Sequence, residues 1–156
     1  MLFTLIAGHH GSFALGPLRE LESIPAVAID YGYRFFIGKS KWFFDPTINC
    51  FLIAPSLNTE LRFGYQFPHK ISLYGISSLL PGLGMFGFPY HKFGMGVSWG
   101  FSKYWSLVGS INDCLNYTCN DRTFIHYISC LVGIQVNSTD FYKEEYVEPT
   151  KVGRRK

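Results

Sequence analysis

Charge is in short supply in this sequence: Asp, Glu, Lys and Arg together make up 16% of it, and the net charge is only +3. No stripe of Lys or Arg precedes Arg154, Arg155 and Lys156, so nucleic acid is not expected as a partner. A continuous apolar run is missing as well. The longest uncharged stretch, Ile71 to Tyr90, has about the length of a membrane helix, but Pro81, Pro89, Gly75, Gly82, Gly84 and Gly87 interrupt it and exclude a spanning helix. The start, Met1 to Ala7, lacks a basic flank and is shorter than a typical export core of about 7–15 apolar residues, so the expectation is that either a signal peptide has already been removed or Met1 begins the folded part.

Cysteine is sparse. Cys50, Cys114, Cys119 and Cys130 form neither a dense disulfide framework nor a paired CxxC pattern, and Cys114, Cys119, His126 and Cys130 match no zinc spacing. The glycines of Gly82-Leu-Gly84-Met-Phe-Gly87 have dinucleotide-fingerprint spacing, but a loop bounded by prolines is not the strand-to-helix context that chemistry needs. No metal and no cofactor are expected.

What the chain does have is grease and glycine. Hydrophobic residues reach 47% and aromatics 18%, a composition that folds rather than remaining disordered. At 156 residues it is one domain's worth of polymer, too short for separate cofactor and substrate modules. Sixteen Gly and eight Pro are costly in helices, and frequent Gly beside aromatics suits closely approaching strands, so the expected class is all-β.

Strict alternation supplies the architecture, because successive side chains of a strand point to opposite faces. From Val27 to Phe36, Val27, Ile29, Tyr31, Tyr33 and Phe35 share one face while Ala28, Asp30, Gly32 and Arg34 share the other. Leu61, Phe63, Tyr65 and Phe67 alternate with Glu60, Arg62, Gly64 and Gln66 in the same way. So do Phe93, Met95, Val97, Trp99 and Phe101 with Lys92, Gly94, Gly96, Ser98 and Gly100. Weaker strands are expected over Trp42 to Ala54, Ile71 to Ser78, Tyr104 to Asn112 and Thr123 to Val136, with a first strand over Phe3 to Ala14.

Tight connections (Gly38 to Lys41, Pro68 to Lys70, Ser102-Lys103) alternate with longer ones (Gly16 to Ser23, Pro55 to Asn58, Leu79 to His91, Asp113 to Arg122). That is the pattern of an up-and-down meander with one short-turn rim and one long-loop rim, and the count comes to about eight strands. Residues 1–137 are assigned to a closed barrel and 138–156 to a polar tail.

The second face is rich in Gly, Ser and Ala with a few ions of both signs, which suits a narrow filled interior better than a solvated surface. Asp30, Arg34, Glu60, Arg62, Gln66 and Lys92 are therefore expected to form a paired network in the lumen. The bulky face then needs lipid to cover it, and Trp42, Phe44, Trp99, Phe101, Tyr104 and Trp105 gather near the short-turn ends as an aromatic girdle. A soluble lipocalin-like carrier, with the bulky face turned inward around an apolar ligand, is the opposite reading of the same alternation.

The segments AIDYGYRF, ELRFGYQF and KFGMGVSWGF, with the pattern running over residues 3 to 137, make the chain resemble the small outer-membrane β-barrel proteins of the OmpX and OmpA-barrel type. The resemblance implies an outer-membrane location in a Gram-negative-type envelope, membrane lipid as partner, and a structural or adhesive role. The rim loops would offer Phe86, Phe88 and Tyr90 to a protein or surface partner. It also implies an alternative, since such barrels include enzymes that hydrolyse or transfer lipid acyl chains with a histidine-activated serine. Ser12 as nucleophile and His10 as base, two apart on one strand face, are the candidates. Cys114 and Cys119 share a predicted loop and are candidates for a disulfide if their Cα atoms approach within about 7 Å.

Overall fold

A computed structural model of the chain describes residues 7–19, 25–38, 40–51, 56–78, 82–84, 89–118 and 123–138. Nine strands carry nearly all of them: β1 Ala7–Arg19, β2 Pro25–Phe36, β3 Trp42–Phe51, β4 Ser56–Gln66, β5 Ile71–Ser78, β6 Gly82–Gly84, β7 Pro89–Gly100, β8 Trp105–Thr118 and β9 Thr123–Asn137. All pairings are antiparallel, and the order β3-β2-β1-β9-β8-β7-β5-β4 closes on itself through β3 and β4. The result is an eight-stave closed barrel, as the alternation predicts. The short β6 occupies the same lane as β5, between β4 and β7, with its register advanced by two residues.

Closure sets the dimensions. Cross-strand partners lead from Ala7 through Phe35, Phe44, Phe63, Gly75, Met95, Ile111 and Cys130 back to β1. There the β1–β9 register puts Pro17 opposite Cys130, ten residues on from Ala7. With standard strand spacing, eight staves and that stagger give a tilt of about 41° and a radius of about 8 Å. A 12-residue strand such as β2 then spans about 30 Å along the axis.

Local chemistry accounts for the departures from regularity. Pro46 has no N–H to donate, and the β2–β3 ladder skips Tyr33 and Arg34 between its Gly32–Thr47 and Phe35–Phe44 pairs. Gly38 takes φ +57° in the β2–β3 turn, while His69 and Lys70 take φ of 61° and 60° in the β4–β5 turn, a left-handed conformation that costs a side-chain-bearing residue.

Strand ends on the long-loop side correct the expected loops. β1 runs on to Arg19, absorbing Gly16 to Arg19, while its expected beginning at Phe3 lies outside the described residues; Ser56 to Asn58 belong to β4, and β8 continues through Asp113 to Thr118. Of the Leu79 to His91 loop, Gly82–Gly84 and Pro89 onward are strand, so Tyr90 and His91 belong to β7. Beyond the apolar band both faces of a strand are wet, and the period-two contrast that marks a strand in sequence fades. Among the described residues β8 and β9 reach furthest: they pair to Thr118–Thr123, whereas the described β7–β8 ladder extends to Tyr90–Asn116 and the β1–β9 ladder to Arg19–Ile128.

The two faces separate completely. Ile29, Tyr31, Phe63, Leu73, Phe93, Met95, Val97, Ile111, Val132 and Ile134 all point outward and exposed, with Met95 at 64%. The arrangement with a greasy interior, on which an apolar-ligand carrier depends, is not the one adopted. No helix among the described residues is long and apolar enough to cross a membrane.

Candidate functional site: the lumen and the aromatic rim

The interior is built from the small-or-charged face of each strand. On its short-turn side, His10 Nε2 lies 2.8 Å from Asp45 Oδ1, Thr47 Oγ1 donates to the same oxygen at 3.0 Å, and Arg34 reaches Asp45 Oδ2 at 3.5 Å. Arg34 also donates to Ser72 Oγ at 3.1 Å, and its guanidinium lies 3.8 Å from the centroid of the Phe43 ring. A side chain at position 32 would collide with this cluster, since a Cβ there would fall 2.6 Å from Thr47 Oγ1 and 2.8 Å from His10 Nε2. Gly32 is the vacancy into which the His10–Asp45 pair fits.

Further along the axis, Arg62 donates to Asp30 Oδ2 at 2.6 Å and to Glu60 Oε2 at 3.4 Å, and Lys92 Nζ sits 2.7 Å from Glu60 Oε1. Ser12 and Asn49 donate to the two oxygens of Asp30. Three buried cations, Arg34, Arg62 and Lys92, thus meet three carboxylates, Asp30, Asp45 and Glu60, with Glu60 at 0% exposure. Balanced pairing is what permits ions in a site closed to solvent. Gln66 is also buried on the inner face, near the short-turn end.

Aromatic side chains fill the remaining room. Phe36, Phe43 and Tyr74 point inward, with Phe43 packed against both others at ring separations of 6.1 and 6.4 Å. Glycines make space for them: a Cβ at Gly64 would lie 2.8 Å from Phe43 Cζ, and one at Gly96 would lie 2.5 Å from the Tyr74 ring. A void of about 20 Å³ remains beside Asp30, Arg62 and Lys92, enough for a single water molecule. The lumen is plugged.

His10 and Ser12 both face inward, but they do not form a dyad: Ser12 Oγ donates to Asp30 at 2.9 Å while His10 pairs with Asp45. Because β1 runs on to Arg19, both residues lie well inside the barrel rather than at the long-loop rim, and both are buried. Cys114 is a buried free thiol on β8, not a loop residue, and Cys119 lies outside the described residues. Phe86 and Phe88 also lie outside the described residues, whereas Tyr90 pairs with Asn116 as part of β7.

Sequence reasoning missed Asp45 and its pairing with His10. Phe43 inside and Pro46 outside blur the alternation of β3, so the inward set Phe43, Asp45, Thr47 and Asn49 does not stand out. The signal that marks it is the neighbouring inward glycine, Gly32, whose missing side chain calls for bulk from the adjacent strands.

Outside, the short-turn rim is ringed by aromatics. Trp42 stacks on Phe63 at 5.4 Å and meets Tyr65 at 5.1 Å, Phe35 stacks on Phe44 at 5.0 Å, and Trp99, Phe101, Tyr104 and Trp105 continue the belt. From this belt to Phe93 and Ile128 near the other rim, strand rise and tilt give an apolar band about 25 Å tall.

No family model matches the chain, and no curated protein matches it. Among solved structures, it is similar to a chain from "De novo design of transmembrane beta-barrels", with TM-score 0.58 and 11% identity over 84% of this chain and 95% of that one. A crystal structure of Neisserial surface protein A also matches, at TM-score 0.47 and 11% identity over 85% of this chain and 95% of that one. The first of these matches shows that the chain has the fold of a transmembrane β-barrel.

Proposed function

We propose that this protein is an integral outer-membrane barrel that conducts nothing through its centre and works through its long-loop rim, as an anchor or adhesin. The observation that carries this is the outward apolar band about 25 Å tall, edged by an aromatic belt and wrapped around a plugged polar core. In water that surface would far exceed the few hundred Å² of contiguous apolar patch that soluble monomers tolerate. The β8–β9 hairpin, which among the described residues extends beyond its neighbours, and the connection before β7, with Phe86 and Phe88 leading to Tyr90 at the start of that strand, supply the contact surface for a protein or an extracellular face.

Two measurements test this reading. The expressed chain should require detergent or lipid to stay dispersed and should migrate differently on a gel before and after boiling, as a closed barrel does. Cells displaying it should adhere to surfaces better than cells displaying F86S/F88S, with equal amounts of the heat-sensitive form in both. Solubility without detergent rejects the membrane placement, and equal adhesion rejects the role of the rim.

A further inference from the structure

All three tryptophans of the chain lie outward at the short-turn rim, and a lysine stands beside each. Lys41 immediately precedes Trp42. Lys70 precedes Ile71, whose cross-strand partner is Trp99. Lys103 lies two residues before Trp105, with its ammonium 5.7 Å from the Tyr104 ring centroid. These pairs come from three separate turns, and residues 37–41, 67–70 and 101–104 contain no Asp or Glu. The opposite rim is different: residues 20–24 carry Glu20 and Glu22 without a cation, and residues 119–122 carry one charge of each sign.

Two of these cations stand exposed in their turns, and Lys41 is half-buried beside Trp42. Left-handed φ at His69 and Lys70 leaves both exposed, and Lys103 is exposed in its own turn. On a barrel of about 8 Å radius the turns lie within a few Debye lengths of one another, so their potentials add at the rim. An ammonium beside an indole, at the end of an apolar wall, matches the boundary where lipid phosphate meets glycerol and acyl chain.

We propose that the short-turn rim is a ring of sites for anionic phospholipid headgroups, in which Lys41, Lys70 and Lys103 take the phosphates and Trp42, Trp99 and Trp105 take the glycerol level beneath them. The ring rests on the membrane placement proposed above, and it assigns the short-turn rim to a leaflet containing anionic phospholipid.

The three tryptophans report on their own neighbours. The full chain is refolded into phosphatidylcholine vesicles containing a minor fraction of spin-labelled phosphatidylglycerol or, in parallel, spin-labelled phosphatidylcholine, and quenching of tryptophan fluorescence is compared. The anionic probe should associate about threefold more strongly, and the preference should vanish near 1 M sodium chloride. K41Q/K70Q/K103Q should quench equally with both probes, while K41R/K70R/K103R keeps the preference. Equal quenching of the native chain, or a preference that survives in the glutamine variant, overturns the proposal. If the glutamine variant does not fold, the arginine variant and the salt series decide. Sodium phosphate at matched ionic strength should act no more strongly than chloride; a stronger effect identifies a soluble-phosphate site and overturns the lipid assignment. Failure of the chain to insert, seen as no heat-dependent gel shift, overturns the membrane placement itself and is thereby distinct.

Discussion

Glu60 ties the upper part of the lumen together, holding Lys92 at 2.7 Å and Arg62 at 3.4 Å with no exposure of its own. Glu60→Gln leaves three buried cations facing two carboxylates, and losing one partner of such an arrangement costs about 3–5 kcal/mol. Denaturant unfolding in phospholipid vesicles should show that loss. The double variant Glu60→Gln/Lys92→Met, which restores the balance, should recover much of it; a double variant as weak as the sum of the two singles would mean the charges act independently. At this scale the sequence was informative wherever alternation was clean. Asp30, Arg34, Glu60, Arg62, Gln66 and Lys92 stand between bulky outward neighbours, and their inward placement follows from parity alone. Phe43 defeats that logic, since it precedes another phenylalanine and nothing local states which of the two turns in. Its place is set by a hole at Gly64 that only the assembled cross-strand register reveals.

For single strands, depth along the barrel governs the cost of change. Val97 projects from β7 near mid-height, paired with Leu73 and Gly109, and Phe101 projects at the aromatic rim. Val97→Arg should destabilise the folded barrel in lipid by about 2–4 kcal/mol, whereas Phe101→Arg should lose only about 0–1 kcal/mol through its charge, with lost ring packing added. Equal costs at the two positions would contradict an apolar band centred on Val97. Strand interiors were legible because lipid-side bulk and lumen-side smallness differ at every step. Strand ends were not: in DCLNYT, residues 113–118, no such contrast exists, and β8 runs through a segment that reads as loop.

As a whole molecule, the barrel is a sealed plug. With a residual void of about 20 Å³ and its ions in mutual contact, it should produce no single-channel steps when reconstituted into planar bilayers at either polarity. Regular openings in preparations verified as monomeric and folded would require the Asp30–Arg62–Glu60–Lys92 group to rearrange. The strand count and its inside-out dressing could be read from sequence because both repeat along the chain. The ten-residue stagger could not, because it depends on how far each strand slides past the next.

The first and last staves are neighbours: Phe13 lies opposite Ile134, and Ser138 N donates to His9 O at 2.8 Å. A chain emerging from its amino end therefore carries two raw margins until the final segment arrives, and no partial assembly can seal itself. Such margins invite pairing with other unfinished chains. Closing the β1–β9 seam is what removes both margins at once.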